Sequence, residues 1–441
     1  MLFPETGSPS GGSPSRRDFL RSTAAVGAAA FATNVEAIPG FRVAGKDELR
    51  VGVVGCGGRG TGAAVNCLDA HPSVKIVALA DAFGDRLKGA RGHLANLAKE
   101  DPKTYAGRVE VSDDKCFTGF DAYKQVIASG VDLVILATPP GFRPDQILYA
   151  AEAGKHVFAE KPVAVDPVGV RKVLKAAAIF DSKKTGFVTG TQRRHQPGYL
   201  EFMRKVTEDK AIGDVVSAQV YWNQGPLWKI DRTPEMSDVE WQCRNWLYFV
   251  WTSGDHIVEQ HVHNLDVMCW AMGGRPEKAT GMGGRQVRVE PAYGHIFDHF
   301  AIDYEWKDGR RATSYCRQID GTASRVGEFI QGTKGSGWAP GRLVGTDGKE
   351  IWRPGQDKVD PYTQEHVDLI ASIRDGKPLN EAVRIAESTM VAIMGRMSAY
   401  SGKEVSWDFV LNTSELDTFP QDLSAALAVP PVAMPGKTKL T

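Results

Sequence analysis

The 441-residue chain has no net charge, with 53 Lys and Arg against 53 Asp and Glu. That argues against a surface built to grip nucleic acid or an anionic membrane. Outside the N-terminal region no apolar run approaches the roughly 18 residues that a membrane span requires. Cysteine is scarce and scattered, at positions 56, 67, 116, 243, 269 and 316. No pair has CxxC spacing, which speaks against a zinc ribbon or a dithiol redox centre. No internal repeat is present. What remains is 42% apolar and 24% charged residues, the balance of an ordered globular protein with enough chain for two cores.

Residues 1–37 read as an address. Ser15-Arg16-Arg17-Asp18-Phe19-Leu20 precedes a weakly apolar run from Ala24 to Ala32, the layout of a twin-arginine signal peptide. The competing reading is a chance arginine pair in a disordered arm. The signal implies a soluble protein that is periplasmic or otherwise exported, with the twin-arginine translocase as a transient partner. Cleavage is expected after Ala32 or Ala37.

Leu49 to Val54 is a β-branched run suited to a buried parallel strand. Gly55-Cys56-Gly57-Gly58-Arg59-Gly60 follows at once, Thr61 to Ala70 reads as a helix, and Val74 to Ala80 forms the next strand, ending at Asp81. A GxGxxG between strand and helix is the pyrophosphate cradle of a dinucleotide fold. Gly55 makes the turn, Gly57 lets the backbone approach the phosphates, and Gly60 permits close helix–strand packing. Asp81, 21 residues after Gly60, suits the ribose hydroxyls of NAD and would repel the 2′-phosphate of NADP. Arg59 or Arg86 would soften that preference. An adenosylmethionine site shares the layout and stays open as a rival. The βα alternation continues through Val131–Ala137, which Thr138-Pro139-Pro140 breaks at the end where ligands bind, and through Lys155–Ala159. This is a doubly wound parallel α/β sheet.

Glu160-Lys161-Pro162 comes next. With Gly55–Gly60, Asp81 and Ala137-Thr138-Pro139-Pro140, it makes residues 48 to 410 resemble the Gfo/Idh/MocA oxidoreductases, a family that includes glucose-fructose oxidoreductase and inositol dehydrogenase. The resemblance implies an NAD-binding Rossmann domain at 48–192 and a substrate-binding α/β domain at 193–410 with an open, mostly antiparallel sheet. That sheet covers the active site and often forms a dimer interface, so a homo-oligomer, dimer or tetramer, is expected. It implies oxidation or reduction of a sugar, glycoside or cyclitol hydroxyl. Lys161 resembles the catalytic lysine, and Glu160, Lys161, Thr138, Pro139 and Gln192 join the cofactor contacts.

Residues 254–266 hold the densest polar cluster, and 267–270 continue it as an apolar helical stretch. A helix beginning near Glu259 would put Glu259, His263 and Asp266 on one face. His263 then resembles the family's acid/base and Glu259 the acid that orients it, in a place where many members carry Asp. A metal site at His256, Glu259, His261 and His263 and an Asp255-capped structural helix are the competing readings; no metal is expected. Arg193, Trp222, Asn223, Trp246 and Asn264 are the candidate substrate contacts. One departure stands out: where many relatives have a histidine after the Thr-Pro-Pro turn, this chain has Gly141-Phe142-Arg143. Because an exported protein meets no pool of free nucleotide, the NAD is expected to be tightly bound. The rival functions are an NAD-dependent glycosidase and a non-catalytic sugar-binding module. Residues 418–441, rich in Pro and Ala, are expected to form an extended arm or partner-wrapping tail.

Overall fold

Six parallel strands form the first sheet: β1 (Leu49–Val54), β2 (Val74–Asp81), β3 (Cys116–Thr118), β4 (Leu133–Leu136), β5 (His156–Ala159) and β6 (Phe187–Thr189). They lie in the order β3-β2-β1-β4-β5-β6. The structure, a computed structural model, describes residues 48–356 and 358–441. The signal peptide and its cleavage sites lie outside the described residues. β1 and β4 are buried almost end to end because helices cover both faces of the sheet. Strand order reverses between β1 and β4, which opens a crevice at their C-terminal ends. The Gly55 loop, the Thr138-Pro139 turn and Glu160-Lys161 all emerge there. The Lys161–Pro162 peptide is cis.

The second sheet has nine strands. They are β7 (Val215–Gln224), β8 (Lys278–Gly284), β9 (His299–Glu305), β10 (Arg311–Gln318), β11 (Arg325–Gly332), β12 (Gly335–Ala339), β13 (Leu343–Gly345), β14 (Glu350–Trp352) and β15 (Val405–Ser406). The order is β14-β13-β12-β11-β7-β10-β9-β8-β15. Every neighbouring pair is antiparallel except β7 with β10, so the sheet is mixed and mostly antiparallel. Period-two alternation gives it a covered face and an open face. Val220 on β7, Ser314 and Cys316 on β10 and Glu328 on β11 turn inward and are buried. The helices Val262–Met272 and Ala382–Ser401 pack on that covered face.

The C-terminal part of the chain returns to the first sheet. Helix Pro361–Arg374 packs on helix Gly58–Ala70, with the His366 ring 4.0 Å from that of Phe158. Residues 418–441 run along the chain's own surface. Thr418 donates through its backbone N–H (2.9 Å) and hydroxyl (2.7 Å) to Asp166. The Phe419 ring meets those of Phe142 at 5.2 Å and Trp251 at 5.7 Å.

A buried ion cluster ties these parts together. Asp266, expected on the catalytic face, instead accepts from Arg194 Nε (2.7 Å), Arg384 Nη1 (3.0 Å) and Ser388 Oγ (2.8 Å). Arg384 also bridges Glu381 at 2.9 Å, and Glu381 accepts from the backbone N–H of Thr189 at the end of β6. The two guanidinium groups hold the Asp266 carboxyl far below the usual carboxylate range despite its burial. Breaking a buried cluster strands charge without a partner. Asp266→Ala should therefore lower unfolding free energy by about 3–5 kcal/mol, read from urea denaturation.

Candidate active site

The nucleotide end is built from backbone. Gly55 has φ +93, and a Cβ there would sit 2.6 Å from the Ala137 carbonyl carbon; a Cβ on Gly60 would sit 1.8 Å from Gly55 O. These two glycines are fixed by packing. Gly57 and Gly58 face open space instead. Gly57 caps helix Gly58–Ala70 with no side-chain hydrogen bond. The first N–H groups of the helix therefore have no side-chain cap and open space beside them, the arrangement that would hold a pyrophosphate. Asp81 accepts from Cys56 N (2.7 Å) and Phe83 N (2.8 Å), which aims its carboxylate across the loop. The Cys56 thiol is turned inward to Ala80 O. Arg59 is drawn away from the ribose end: it pairs with Glu160 at 2.6 Å and lies over the Tyr362 ring. Burial raises the Asp81 carboxyl above its ordinary value, against the pull of the Phe83 and Cys56 N–H groups and of Arg86, which is exposed. Thr138 donates to Gln146 at 2.8 Å, and Gln192 Oε1 is buried without a partner.

At the other end of the crevice, Lys161 Nζ donates to the backbone carbonyl of Glu259. Burial pushes the lysine down from its ordinary value. The Glu259 carboxyl is raised to about 7, mainly by desolvation, although Lys161, Arg288 and Arg143 pull it down. His263 is held neutral by burial and by the charges of Lys161 and Arg193. Its ring stacks 5.8 Å from Trp222, and its Nδ1 is buried without a partner.

Glu259 and His263 reach this place by a different route from the expected continuous helix. Glu259 ends a short helix, His256–Glu259, capped by Asp255. The chain breaks there, and helix Val262–Met272 starts anew. The break lets His261 turn its Nε2 into the sheet, 2.8 Å from Ser314 Oγ. The i, i+4 relation is therefore absent, and both residues stand at helix ends next to Lys161.

Arg193 is buried and pairs with Glu328, which also accepts from Asn264 and from Tyr199 (3.0 Å). Arg193 lies 5.7 Å from the Trp222 ring. Asn223 alternates onto the opposite face of β7 from Trp222 and is removed from the cluster, as period-two geometry requires. Trp246 sits in a separate aromatic cluster, beside Trp228 at 6.4 Å. Among the described residues no group of His, Cys, Asp and Glu is arranged to hold a metal. Glu328 was missed by sequence reasoning, although an acid at an inward strand position is a readable anomaly. Arg288 carried no signal, because it lies in an irregular loop.

Residues 49–181 match the model of an oxidoreductase family with an NAD-binding Rossmann fold, and residues 200–337 match the GFO/IDH/MocA C-terminal domain. The chain belongs to the Gfo/Idh/MocA oxidoreductase family. Residues 13–33 match the twin-arginine translocation signal, so the chain carries an export signal. No described helix is long and apolar enough to cross a membrane. The chain is 24% identical over 292 residues to an inositol 2-dehydrogenase of Rhizobium meliloti, covering 65% of this chain and 74% of that one. It is 27% identical over 295 residues to a 2,7-anhydro-N-acetylneuraminate hydratase of Mediterraneibacter gnavus, covering 63% and 72%. It spans only about half the length of other curated relatives, 53% and 50% in two cases. The structure of scyllo-inositol dehydrogenase from Lactobacillus casei, with bound NAD(H) and scyllo-inositol, superposes with TM-score 0.60 at 21% identity over 81% of this chain and 99% of that one. At that identity the likeness is one of fold.

The raised Glu259 carboxyl has a thermodynamic consequence. Its contribution to stability is fully present below the ordinary pKa of 4.5 and is lost as pH rises through about 7. Glu259→Gln has no such loss. The unfolding free energy of the variant minus that of the parent should grow between pH 5 and pH 8, by on the order of 3 kcal/mol. Denaturant titrations at the two pH values measure it.

Proposed function

We propose that this protein oxidises a CH–OH group of a sugar, glycoside or cyclitol, using an NAD that stays bound through the catalytic cycle. The observation that carries the reading is the meeting of Lys161, Glu259 and His263 at the ligand-binding end of the parallel sheet, where the uncapped helix Gly58–Ala70 also begins. When bound, NAD supplies the hydride acceptor. Lys161 donates to the reacting hydroxyl oxygen and steadies the charge that develops on it. The hydroxyl proton passes to Lys161 or His263, both held by burial toward proton-accepting forms. Glu259, near half-protonation at neutral pH, is the neighbouring group that relays it. Asp81 favours NAD over NADP, with Arg59 committed to Glu160. The relatives' names cover a cyclitol and an anhydro-neuraminate, which keeps the substrate within polyhydroxylated rings.

A second reading, an NAD-dependent glycosidase, draws on the Glu259 carboxyl, since an acid near pH 7 also serves to protonate a leaving group. Tight retention of the cofactor is supported by the cover on its ribose end. Arg244 grips Asp85 through both guanidinium nitrogens (2.9 and 3.0 Å) and lies 4.2 Å from the Phe83 ring centre, close to Asp81. Phe83, Phe120 and Phe142 join one apolar cluster with Trp241, Trp251 and the tail residues Phe419, Leu423 and Leu427. A homo-oligomer is supported by the open face of the second sheet. There Tyr221, Tyr315 and Trp338 stack beside Arg325, and Met282 is 74% exposed.

Purified protein should gain NADH absorbance on addition of a substrate sugar or cyclitol, and Lys161→Ala should lower kcat by about a hundredfold or more. Aglycone release with no net reduction would establish the glycosidase reading, and no spectral change with any sugar would remove both. Deleting residues 418–441 should speed exchange of bound NAD with labelled free NAD about tenfold, a loss of roughly 1.4 kcal/mol.

A further inference from the structure

We infer that the substrate carries a carboxylate, received at the end of the sheet floor by Arg288, Gln318 and Gln224. The inference rests on the oxidoreductase reading above and names the substrate class within it as sugar acids.

Arg288 is 2% exposed, yet it forms no ion pair among the described residues. Its Nη1 donates to Phe297 O at 3.2 Å and its Nη2 to Gln318 Oε1. Tyr248 and Tyr293 rings flank it at 5.2 and 5.8 Å. Its Nε is buried with no partner. Three other arginines of the region are matched: Arg193 by Glu328, Arg59 by Glu160, and Arg194 by Asp266. The Glu259 carboxyl is near enough to feel its charge and Asp298 accepts from its backbone N–H at 3.3 Å, but among the described residues no carboxylate pairs with the guanidinium, and a buried guanidinium without such a partner is costly unless an anion arrives to complete it.

The neighbouring amides point the same way. Gln318 and Gln224 face each other in register at the ends of β10 and β7. Gln318 spends its oxygen on Arg288, and Gln224 spends its oxygen on Trp222 Nε1 at 2.7 Å. Both partners are obligate donors, so each amide is fixed with its nitrogen free. Both Nε2 atoms are buried and without an acceptor. Three donors with no protein acceptor thus lie at one end of the floor. An ionised carboxylate, with two acceptor oxygens and no hydrogen of its own to place, matches this set better than a hydroxyl, which brings one oxygen and an O–H that needs an acceptor in turn. The position is correct for a substrate. Trp222, which stacks on His263, lies two residues back along β7 from Gln224, about 7 Å. That is the span of a hexose ring and its exocyclic carboxyl. Lys161 and Arg143 add positive charge around Glu259, and neither forms an ion pair among the described residues.

The test is binding of D-glucuronate and D-galacturonate to the NAD-containing protein by calorimetry, each against its neutral amide. At least one acid should bind about tenfold or more tightly than its amide, with a preference that falls as salt is raised. Arg288→Met should reduce the acid-to-amide ratio to near one, as should Gln224→Leu, a lighter change that keeps the buried cation. Equal binding of every acid and its amide, or a preference that survives both substitutions, overturns the inference. The NADH band is recorded in the same samples. Reduction by neutral sugars without acid preference sinks the carboxylate site alone; acid preference without reduction by any ligand sinks the redox reading alone.

Discussion

Three donors converge on the Asp266 carboxylate, and together with it they join three parts of the chain. Arg194 follows the last parallel strand, Arg384 and Ser388 belong to the long helix Ala382–Ser401, and Asp266 itself is on the helix that carries His263. In a low-dielectric interior such a group is stable only when complete. Completeness fixes the angle at which helix Val262–Met272 meets the end of the parallel sheet. His263 and the Glu259 carbonyl that receives Lys161 inherit their positions from it. The chemistry of the crevice therefore depends on a charge cluster that touches none of the reacting groups.

Much of this was readable in advance, and the reasons are physical. The first βαβ unit has two periodicities, a glycine pattern and a terminal acid in one short stretch. Each is demanded locally, so the strand–loop–helix order, the roles of Gly55 and Gly60 and the aim of Asp81 follow from residues close in sequence. The break after Glu259 does not. It goes with the His261–Ser314 contact, made across 53 residues of chain, and a single helix from near Glu259 is the simpler reading of the sequence. Asn223 was misplaced for the opposite reason: it was taken by type, as a polar neighbour of Trp222, when strand parity separates them. Asp266 shows that an acid at a suggestive spacing can be spent on packing. Arg288 had nothing to mark it, since irregular loops carry no period.

The two halves of the crevice handle charge differently. At the nucleotide end the protein offers backbone dipoles and open space, and its nearby arginine is neutralised by Glu160. At the opposite end it leaves side-chain cations without partners. Dipoles suit a group that every member of a fold must hold, because they do not depend on side-chain identity. Unpaired side chains suit the ligand that distinguishes one chain from its relatives. The contrast divides the general from the particular along a single cleft.

The tail that lies across Phe142 and Trp251 brings Phe419, Leu423 and Leu427 into the apolar cluster that holds Phe83, whose backbone N–H donates to Asp81. Apolar burial is shared by both sides of such a contact, so the tail and the loop after Asp81 steady each other.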